Sequence, residues 1–485
     1  MREVHPLLTQ RRAGVLLHPT SLPGAGPIGR LGTAAEEWID ALAGAGFTVW
    51  QTLPLCPPDS LGSPYQSCSV FAGDERLVDP ERLPGLNGTG VVDHGLTLAQ
   101  WEAVHDALMA DVDLRTRFDA FCAAEAYWLE DFALYQAIKE REAAPWHAWP
   151  EPLRDRDAVA LEQACCELGD SMRRTRTAQF FFDLQWRALR QYAHDRGVLL
   201  FGDLPIFVAH DSADVWAHRD LFHLDETGQM TQVAGVPPDY FSADGQLWNM
   251  PHYRWDVLAQ QGYGWWIDRF RRQREWFDLI RIDHFRGFES AWAVPAGAVN
   301  AVHGVWQSAA GVDLFAAVDA ALGAQALVAE DLGLITAQVD ELRLTLGMPG
   351  MRVLQFAFDS DAENPHLPHN YDPLTVVYPG THDNPTLCGW WRSLPQERQS
   401  EIQAYLGVSS VQMPDAFIRL ALASVARFAI VAFQDLLALG DEARMNTPGT
   451  TVGNWSWRMN AADLEGEWRT RWKGDLLRFG RCHNL

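Results

Sequence analysis

The chain has 485 residues, of which 47% are hydrophobic and 21% charged, as in ordinary folded globular proteins. Its formal charge of −24 argues against nucleic acid and anionic membranes as partners, because both bind basic surfaces. No stretch approaches the eighteen apolar residues of a membrane-spanning helix, and the N-terminus lacks a basic-then-apolar leader. The seven cysteines include no CxxC pair, so we expect free thiols in a cytoplasmic protein.

Short apolar segments recur along the chain, and a polar or Gly/Pro-rich loop follows each of them. Such segments are typical of buried strands, and helical patterns separate the later ones. Eight of them predict an α/β fold, a (β/α)₈ TIM barrel in which residues 1–485 form a single domain. The predicted strands are 13–18, 47–55, 197–206, 279–283, 326–330, 351–358, 375–378 and 428–433.

Two further segments interrupt the barrel repeat. The interval between the second and third predicted strands is too long for one crossover, and we predict a mainly helical insertion over residues 71–195. Residues 233–250 are predicted to form an active-site lid loop, in which Tyr240, Phe241 and Trp248 supply flat apolar surface. An ordinary surface loop is the alternative, although two adjacent exposed aromatic residues argue against it.

Four predicted strands end in a carboxylate, namely Asp203, Asp283, Glu330 and Asp383. The C-terminal ends of the strands surround the active site of such a barrel, so these acids should converge there. Taken alone, Arg281 and Asp283 on one strand face are equally consistent with a structural ion pair. Four carboxylates at one mouth repel one another, and we therefore predict a catalytic site.

The residues before two of these acids suggest different roles for them. Retaining glycoside chemistry needs two carboxyl groups about 5–5.5 Å apart, one ionised to attack the anomeric carbon and one protonated to release the leaving oxygen. Arg281 shares a strand face with Asp283 and should hold it ionised, which predicts Asp283 as the nucleophile. Three apolar residues precede Glu330, where desolvation favours the protonated form and predicts the acid/base.

The 21 tryptophans are consistent with a carbohydrate substrate. Core packing accounts for many of them, but a surplus of flat apolar faces also suits stacking on sugar rings. A non-catalytic glucan-binding protein would share this feature, and the intact acids argue against it.

Long motifs in one order give the chain a resemblance to a known family. They are LHPTSLPG (17–24), SPYQS (63–67), GDLPIF (202–207), GVPPDYFS (235–242), RIDHFRG (281–287), AEDLG (329–333), THDN (381–384) and ARMNTPG (443–449). The set resembles the 4-α-glucanotransferases of the amylomaltase (disproportionating enzyme) type, glycoside hydrolase family 77 in the α-amylase superfamily. The resemblance spans nearly the whole chain and implies transfer of an α-1,4-glucan segment to the 4-hydroxyl of an acceptor glucan or glucose.

The same resemblance implies a role for each matching site residue. Asp283 is implied to be the nucleophile, Glu330 the acid/base, and Asp383 the stabiliser that binds hydroxyls of the distorted sugar. For Tyr65, a buried and hydrogen-bonded tyrosine is the alternative to a sugar contact. The implied substrate-binding residues are Tyr65, Asp203, Tyr240, Phe241, Trp248, Arg281, His284, His382 and Asn454.

Neither a cofactor nor a metal is expected. Acid–base and nucleophilic chemistry needs no cofactor, and His18, His284 and His382 lie outside any Cys/His ligand pattern. The expected partners are α-1,4-glucans and maltooligosaccharides, with glucose as an acceptor. We expect a monomer or a weak homo-oligomer.

A hydrolase is the alternative enzyme, and the chain departs from the family pattern in three places. An α-amylase-type hydrolase would use the same acids with water as acceptor. Pro385 stands where an acidic residue is common, and Asn249-Met250 where Gly-Asn is usual. Residues 57–62 lack the aromatic residue that some members use for a secondary glucan site.

Overall fold

The structure is a computed structural model, and it describes residues 2–86, 95–238 and 242–482. The strands in these ranges are β1 Arg12–Leu16, β2 Val49–Gln51, β3 Leu199–Leu204, β4 Gln232–Val236, β5 Gln246–Pro251, β6 Leu279–Ile282, β7 Ser290–Pro295, β8 Val305–Ser308, β9 Leu327–Ala329, β10 Gly350–Val353, β11 Thr375–Tyr378 and β12 Phe428–Ala432. Eight of these strands close into a parallel barrel in the order β1-β12-β11-β10-β9-β6-β3-β2. The predicted TIM barrel is confirmed, and each predicted strand segment contains one barrel strand or most of it.

Helices surround the barrel. Over the described ranges they are α1 Thr33–Ala45, α2 Leu98–Ala110, α3 Val112–Glu142, α4 Glu151–Arg154, α5 Ala158–Glu167, α6 Gly169–Asp195, α7 Ala213–Ala217, α8 Trp255–Gln260, α9 Gly264–Trp276, α10 Gly311–Leu322, α11 Ala337–Thr345, α12 Leu387–Ser393, α13 Gln396–Leu406, α14 Asp415–Ala423, α15 Phe433–Leu436, α16 Trp468–Arg471 and α17 Lys473–Arg478. Helices α2 to α6 lie between β2 and β3, in the interval for which the sequence predicts an insertion. None of the helices described is long and apolar enough to cross a bilayer.

The barrel strands separate two apolar layers, and β6 illustrates how. Leu279 packs inside the barrel, whereas Ile280 and Ile282 pack in the layer between the strands and the helices. Successive side chains of a strand point to opposite faces, so Arg281 and Asp283 follow Leu279 on the inner face. The alternation therefore directs this charged pair to the mouth of the barrel.

A second sheet lies outside the barrel and has the antiparallel strand order β5-β4-β7-β8. Most of the described residues in 233–250, predicted to form a loop, belong instead to its strands β4 and β5. Strand β4 also pairs with β7, from Gln232 opposite Pro295 to Gly235 opposite Trp292. This pairing joins residues about sixty positions apart, so the local Gly/Pro-rich sequence does not reveal it. Tyr240 and Phe241 lie outside the described residues.

Candidate active site

A cleft of about 360 Å³ opens at the C-terminal ends of the barrel strands. Six residues of the predicted site line this cleft, which brings together parts of the chain nearly 400 positions apart. They are Tyr65, Trp248, Asp283, His382, Asp383 and Asn454. The walls also include Pro205 to Phe207, which follow β3 directly.

Arg281 contacts two acids at this end of the barrel, Asp203 and the cleft residue Asp283. Its strand register places it opposite Asp203 of β3, and its Nη1 lies 2.7 and 2.8 Å from the two oxygens of that carboxylate. Its Nη2 lies 2.9 Å from Oδ1 of Asp283. The side chain of Arg281 is only 7% exposed, so both ion pairs are shielded from water. The ion pair anticipated from the sequence is therefore present, with a second acid attached to it.

Burial sets the protonation of the two acids that follow β6 and β9. It raises the pKa of Asp283 to about 6, although the charge of Arg281 opposes the rise. Desolvation outweighs the ion pair, and Arg281 still favours the ionised form of Asp283 by making this rise smaller. Burial also raises the pKa of Glu330 to about 7, with Arg281 opposing the rise and Asp283 adding to it. At a pH between these two pKa values, Asp283 is mainly ionised and Glu330 mainly protonated.

Glu330 is held in place by the backbone of the neighbouring loops. The N–H of His284 donates to its Oε2 at 2.8 Å, and the N–H of Leu332 donates to its Oε1 at 3.0 Å. His284 has a φ of +47°, a left-handed conformation that His adopts more readily than most residues. This turn directs the His284 N–H toward the carboxylate, so the backbone of one strand end orients the acid of the next.

Asp383 lies on the loop after β11, with its side chain 46% exposed. The amide of Asn446 donates to its Oδ1 at 2.6 Å, and Nε2 of His382 lies 3.4 Å from its Oδ2. Burial lowers the pKa of His382, although the charge of Asp383 opposes this effect. The sequence singled out the ARMNTPG motif without a role for Asn446, because a side chain that supports a loop leaves no local pattern.

Tyr65 connects His382 to Asp203, the acid that pairs with Arg281. Its hydroxyl donates to Oδ2 of Asp203 at 2.8 Å and lies 3.1 Å from Nε2 of His382. The rings of Tyr65 and His382 are stacked, with centroids 5.4 Å apart. Tyr65 is therefore hydrogen-bonded and half-buried, and it lines the cleft.

The sequence profile of 4-alpha-glucanotransferases, glycoside hydrolase family 77, matches residues 17–463. The chain belongs to the 4-alpha-glucanotransferase family. The predicted resemblance is confirmed, and the α-amylase-type hydrolase is not favoured.

Individual 4-alpha-glucanotransferases match over almost their full length. The enzyme of Thermus thermophilus is 46% identical over 482 residues, which cover 94% of this chain and 96% of that protein. The enzyme of Synechocystis sp. is 43% identical over 482 residues, with 94% and 95% covered. Among solved structures, the amylomaltase from Streptococcus agalactiae in complex with acarbose superposes with a TM-score of 0.91 at 34% identity, covering 98% of this chain and 100% of that one.

Trp248 and the residue after it show how one departure from the 4-alpha-glucanotransferase pattern is accommodated. The Trp248 indole lies against His284, with ring centroids 4.8 Å apart at 90°. Asn249 stands where the family usually has Gly, and its φ is +55°. Asn is among the few residues that adopt this left-handed conformation readily, so the chain can make this turn beside Trp248 without a Gly.

Asn454 uses its amide within its own loop. Its Oδ1 accepts from the N–H of Thr447 at 2.9 Å, and its Nδ2 donates to the carbonyl of Thr450 at 2.9 Å. These bonds shape the loop that forms one wall of the cleft. The geometry therefore gives Asn454 a supporting position at the wall in addition to the sugar contact that the resemblance implies.

His18, the third histidine of the sequence motifs, has a structural role. Nδ1 of His18 lies 2.7 Å from the Thr20 hydroxyl, and its Nε2 lies 3.2 Å from the Pro54 carbonyl. Across the described ranges, no group of three or more His, Cys, Asp or Glu side chains is arranged to hold a metal ion.

Proposed function

We propose that this chain transfers a segment of an α-1,4-glucan to the 4-hydroxyl of an acceptor glucan or glucose by a retaining double displacement. The family assignment supports the 4-alpha-glucanotransferase activity. One observation supports the mechanism: Asp283 and Glu330 follow neighbouring strands, and burial leaves Asp283 the stronger acid of the two. A nucleophile and a general acid need this difference.

In the first step, the ionised carboxylate of Asp283 attacks the anomeric carbon and forms a glycosyl–enzyme ester. The glycosidic C–O bond breaks, its electron pair stays on the leaving oxygen, and Glu330 donates a proton to that oxygen. Asp383 binds hydroxyls of the sugar as its ring distorts. Arg281 remains between Asp203 and Asp283 and offsets the negative charge of the cluster.

In the second step, Glu330 accepts the proton of an acceptor 4-hydroxyl while that oxygen attacks the anomeric carbon. The ester bond to Asp283 breaks, and the carboxylate is restored. Transfer is faster than hydrolysis only if the cleft binds an acceptor sugar beside the glycosyl–enzyme and keeps water away from it. We propose that the segment 233–250, which carries Trp248 on β5, provides this cover as a lid.

The reaction is tested with maltotriose as the only substrate. Transfer yields glucose together with a ladder of longer maltooligosaccharides, resolved by chromatography. Shortened products without any longer ones would contradict the proposal and favour an α-amylase-type hydrolase.

The covalent intermediate is tested with Glu330→Gln and α-maltosyl fluoride. Fluoride leaves without a proton from Glu330, whereas the second step lacks its base, so the glycosyl–enzyme should accumulate. Mass spectrometry of peptic peptides is expected to place the added maltosyl mass on Asp283. The Asp283→Asn variant should show no adduct, and an adduct on another residue would overturn the assignment of the nucleophile.

We also propose maltooligosaccharides as substrates and the cytoplasm as location. The amylomaltase from Streptococcus agalactiae is described in complex with acarbose, which supports an oligosaccharide-binding cleft. The seven cysteines are all unpaired, which suits a reducing compartment. Growth of the source cells on maltotriose, followed by fractionation and activity assays, tests both statements.

A further inference from the structure

The loop that carries Asp383 is tied to a second loop, residues 444–446, which follows the short 3₁₀ helix Asp441–Ala443. Two hydrogen bonds make this connection. Nη2 of Arg444 donates to the backbone carbonyl of Asp383 at 2.6 Å, and Nδ2 of Asn446 donates to the Oδ1 of the same residue at 2.6 Å. One bond holds the backbone of Asp383, and the other holds its carboxylate.

Arg444 also binds Asn446, the residue whose amide donates to the Asp383 carboxylate. Its Nε donates to the backbone carbonyl of Asn446 at 2.7 Å, so one guanidinium binds both Asp383 and the residue that orients the Asp383 carboxylate. A guanidinium presents its donors in a rigid planar fork. The separation between the two carbonyls is therefore fixed by the shape of the Arg444 side chain.

Asp383 needs such support because its carboxylate is more exposed than that of Asp283. Its side chain is 46% exposed, compared with 27% for Asp283. Packing alone leaves a half-exposed carboxylate free to change rotamer, so its place depends on the amide of Asn446. The charge-assisted hydrogen bonds of Arg444 hold the backbone carbonyls of both residues and so fix where this amide and this carboxylate meet.

We propose that Arg444 is a positioning residue for Asp383 and sets the place of that carboxylate in the cleft through the carbonyls of Asp383 and Asn446. This inference rests on the proposed function, in which Asp383 binds the distorted sugar. Arg444 acts without touching the substrate, so its loss should lower kcat while the KM for the donor changes little.

The first test compares Arg444→Lys with Arg458→Lys. Arg458 is a matched control, because its guanidinium also donates to backbone carbonyls, those of Leu22 and Gly26, outside the Asp383 loop. With α-maltosyl fluoride as donor and glucose as acceptor, we expect Arg444→Lys to lose about ten- to a hundredfold in kcat. Arg458→Lys should retain the kcat of the unmodified chain. Equal kcat in the two variants, at equal Tm, would overturn the inference.

The second test is a double-mutant cycle with Asp383→Asn. If Arg444 acts through Asp383, the Arg444→Lys change should cost little in fluoride release once Asp383 is replaced. Independent, multiplying losses would show a general structural role and overturn the inference. Full activity of Asp383→Asn alone would instead contradict the proposed function. If Arg444→Lys does not unfold cooperatively, Arg444→Gln takes its place in both tests, because its amide can still donate to one carbonyl.

Discussion

At the scale of single residues, Arg281 bonds to two carboxylates, and this limits what its charge does for either. Nη1 of Arg281 contacts both carboxylate oxygens of Asp203, and Nη2 contacts Oδ1 of Asp283. The positive charge is therefore shared, and burial still raises the pKa of Asp283. A nucleophile with a raised pKa limits activity on the acid side, which makes the pH profile informative.

The pH dependence of kcat/KM should be a narrow bell. Activity rises with pH as Asp283 loses its proton near pH 6, and it falls as Glu330 loses its proton near pH 7. With α-maltosyl fluoride as donor, the Glu330→Gln variant should keep the rising limb and lose the falling one. The measurement is initial fluoride release between pH 4 and 9, with the unmodified chain on maltotriose for comparison. A falling limb that persists in the variant would assign it to a group other than Glu330.

The residues of the site differ in how far the sequence could reveal them. Asp203, Asp283 and Glu330 lie within or directly after predicted strands, so the barrel rule was enough to bring them together. Arg444 was different, because its hydrogen bonds go to backbone carbonyls 61 positions away and within its own loop. Backbone carbonyls are the same at every residue, and a contact to one leaves no trace in the sequence pattern.

At the scale of elements, the barrel strands could be predicted and the second sheet could not. Each barrel strand is a short apolar run because helices or the barrel interior cover both of its faces. Strand β4 contains Gly235 and ends directly before Pro237-Pro238, and these residues are loop signals when taken alone. Strand β4 pairs with β5 on one side and with β7 on the other, and β7 lies beyond a complete barrel strand.

Strand β1 gives a prediction about packing inside the barrel. A Cβ atom at Gly14 would lie 2.7 Å from both Cδ1 of Ile430 and Cβ of Val49. Gly14→Ala should therefore lower the free energy of unfolding by about 1–3 kcal/mol, measured by urea denaturation. Gly44→Ala is the control, because its Cβ would meet only the end of the Arg469 side chain at 3.6 Å. As Gly44 lies within α1, this change should stabilise by up to about 1 kcal/mol. Equal effects of the two changes would contradict the packing argument.

At the scale of the whole molecule, the carboxylate of Asp211 connects α3 and the short turn after it to the segment that follows β3. Asp211 lies between β3 and α7, in the stretch that begins with the cleft residues Pro205 to Phe207. Its Oδ1 accepts from the Tyr135 hydroxyl at 2.7 Å and from the Trp146 N–H at 3.2 Å, and its Oδ2 pairs with Lys139. All three partners belong to the segment between β2 and β3, so Asp211 connects that segment to the stretch that begins at the cleft wall.

Replacing Asp211 should therefore affect stability and substrate binding together. Asp211→Ala removes the acceptor of two hydrogen bonds and leaves Lys139 without its carboxylate. Since the side chain of Asp211 is 35% exposed, water compensates in part, and we expect a loss of about 1–3 kcal/mol in urea denaturation. The KM for maltotriose should rise, because the stretch after β3 loses its support from the insertion. Asp170→Ala is the matched control: Asp170 pairs with Arg173 at 77% exposure and should cost less than about 0.5 kcal/mol. If Asp211→Ala raised KM without lowering stability, Asp211 would act on the cleft alone, and its role as the connection between insertion and barrel would be wrong.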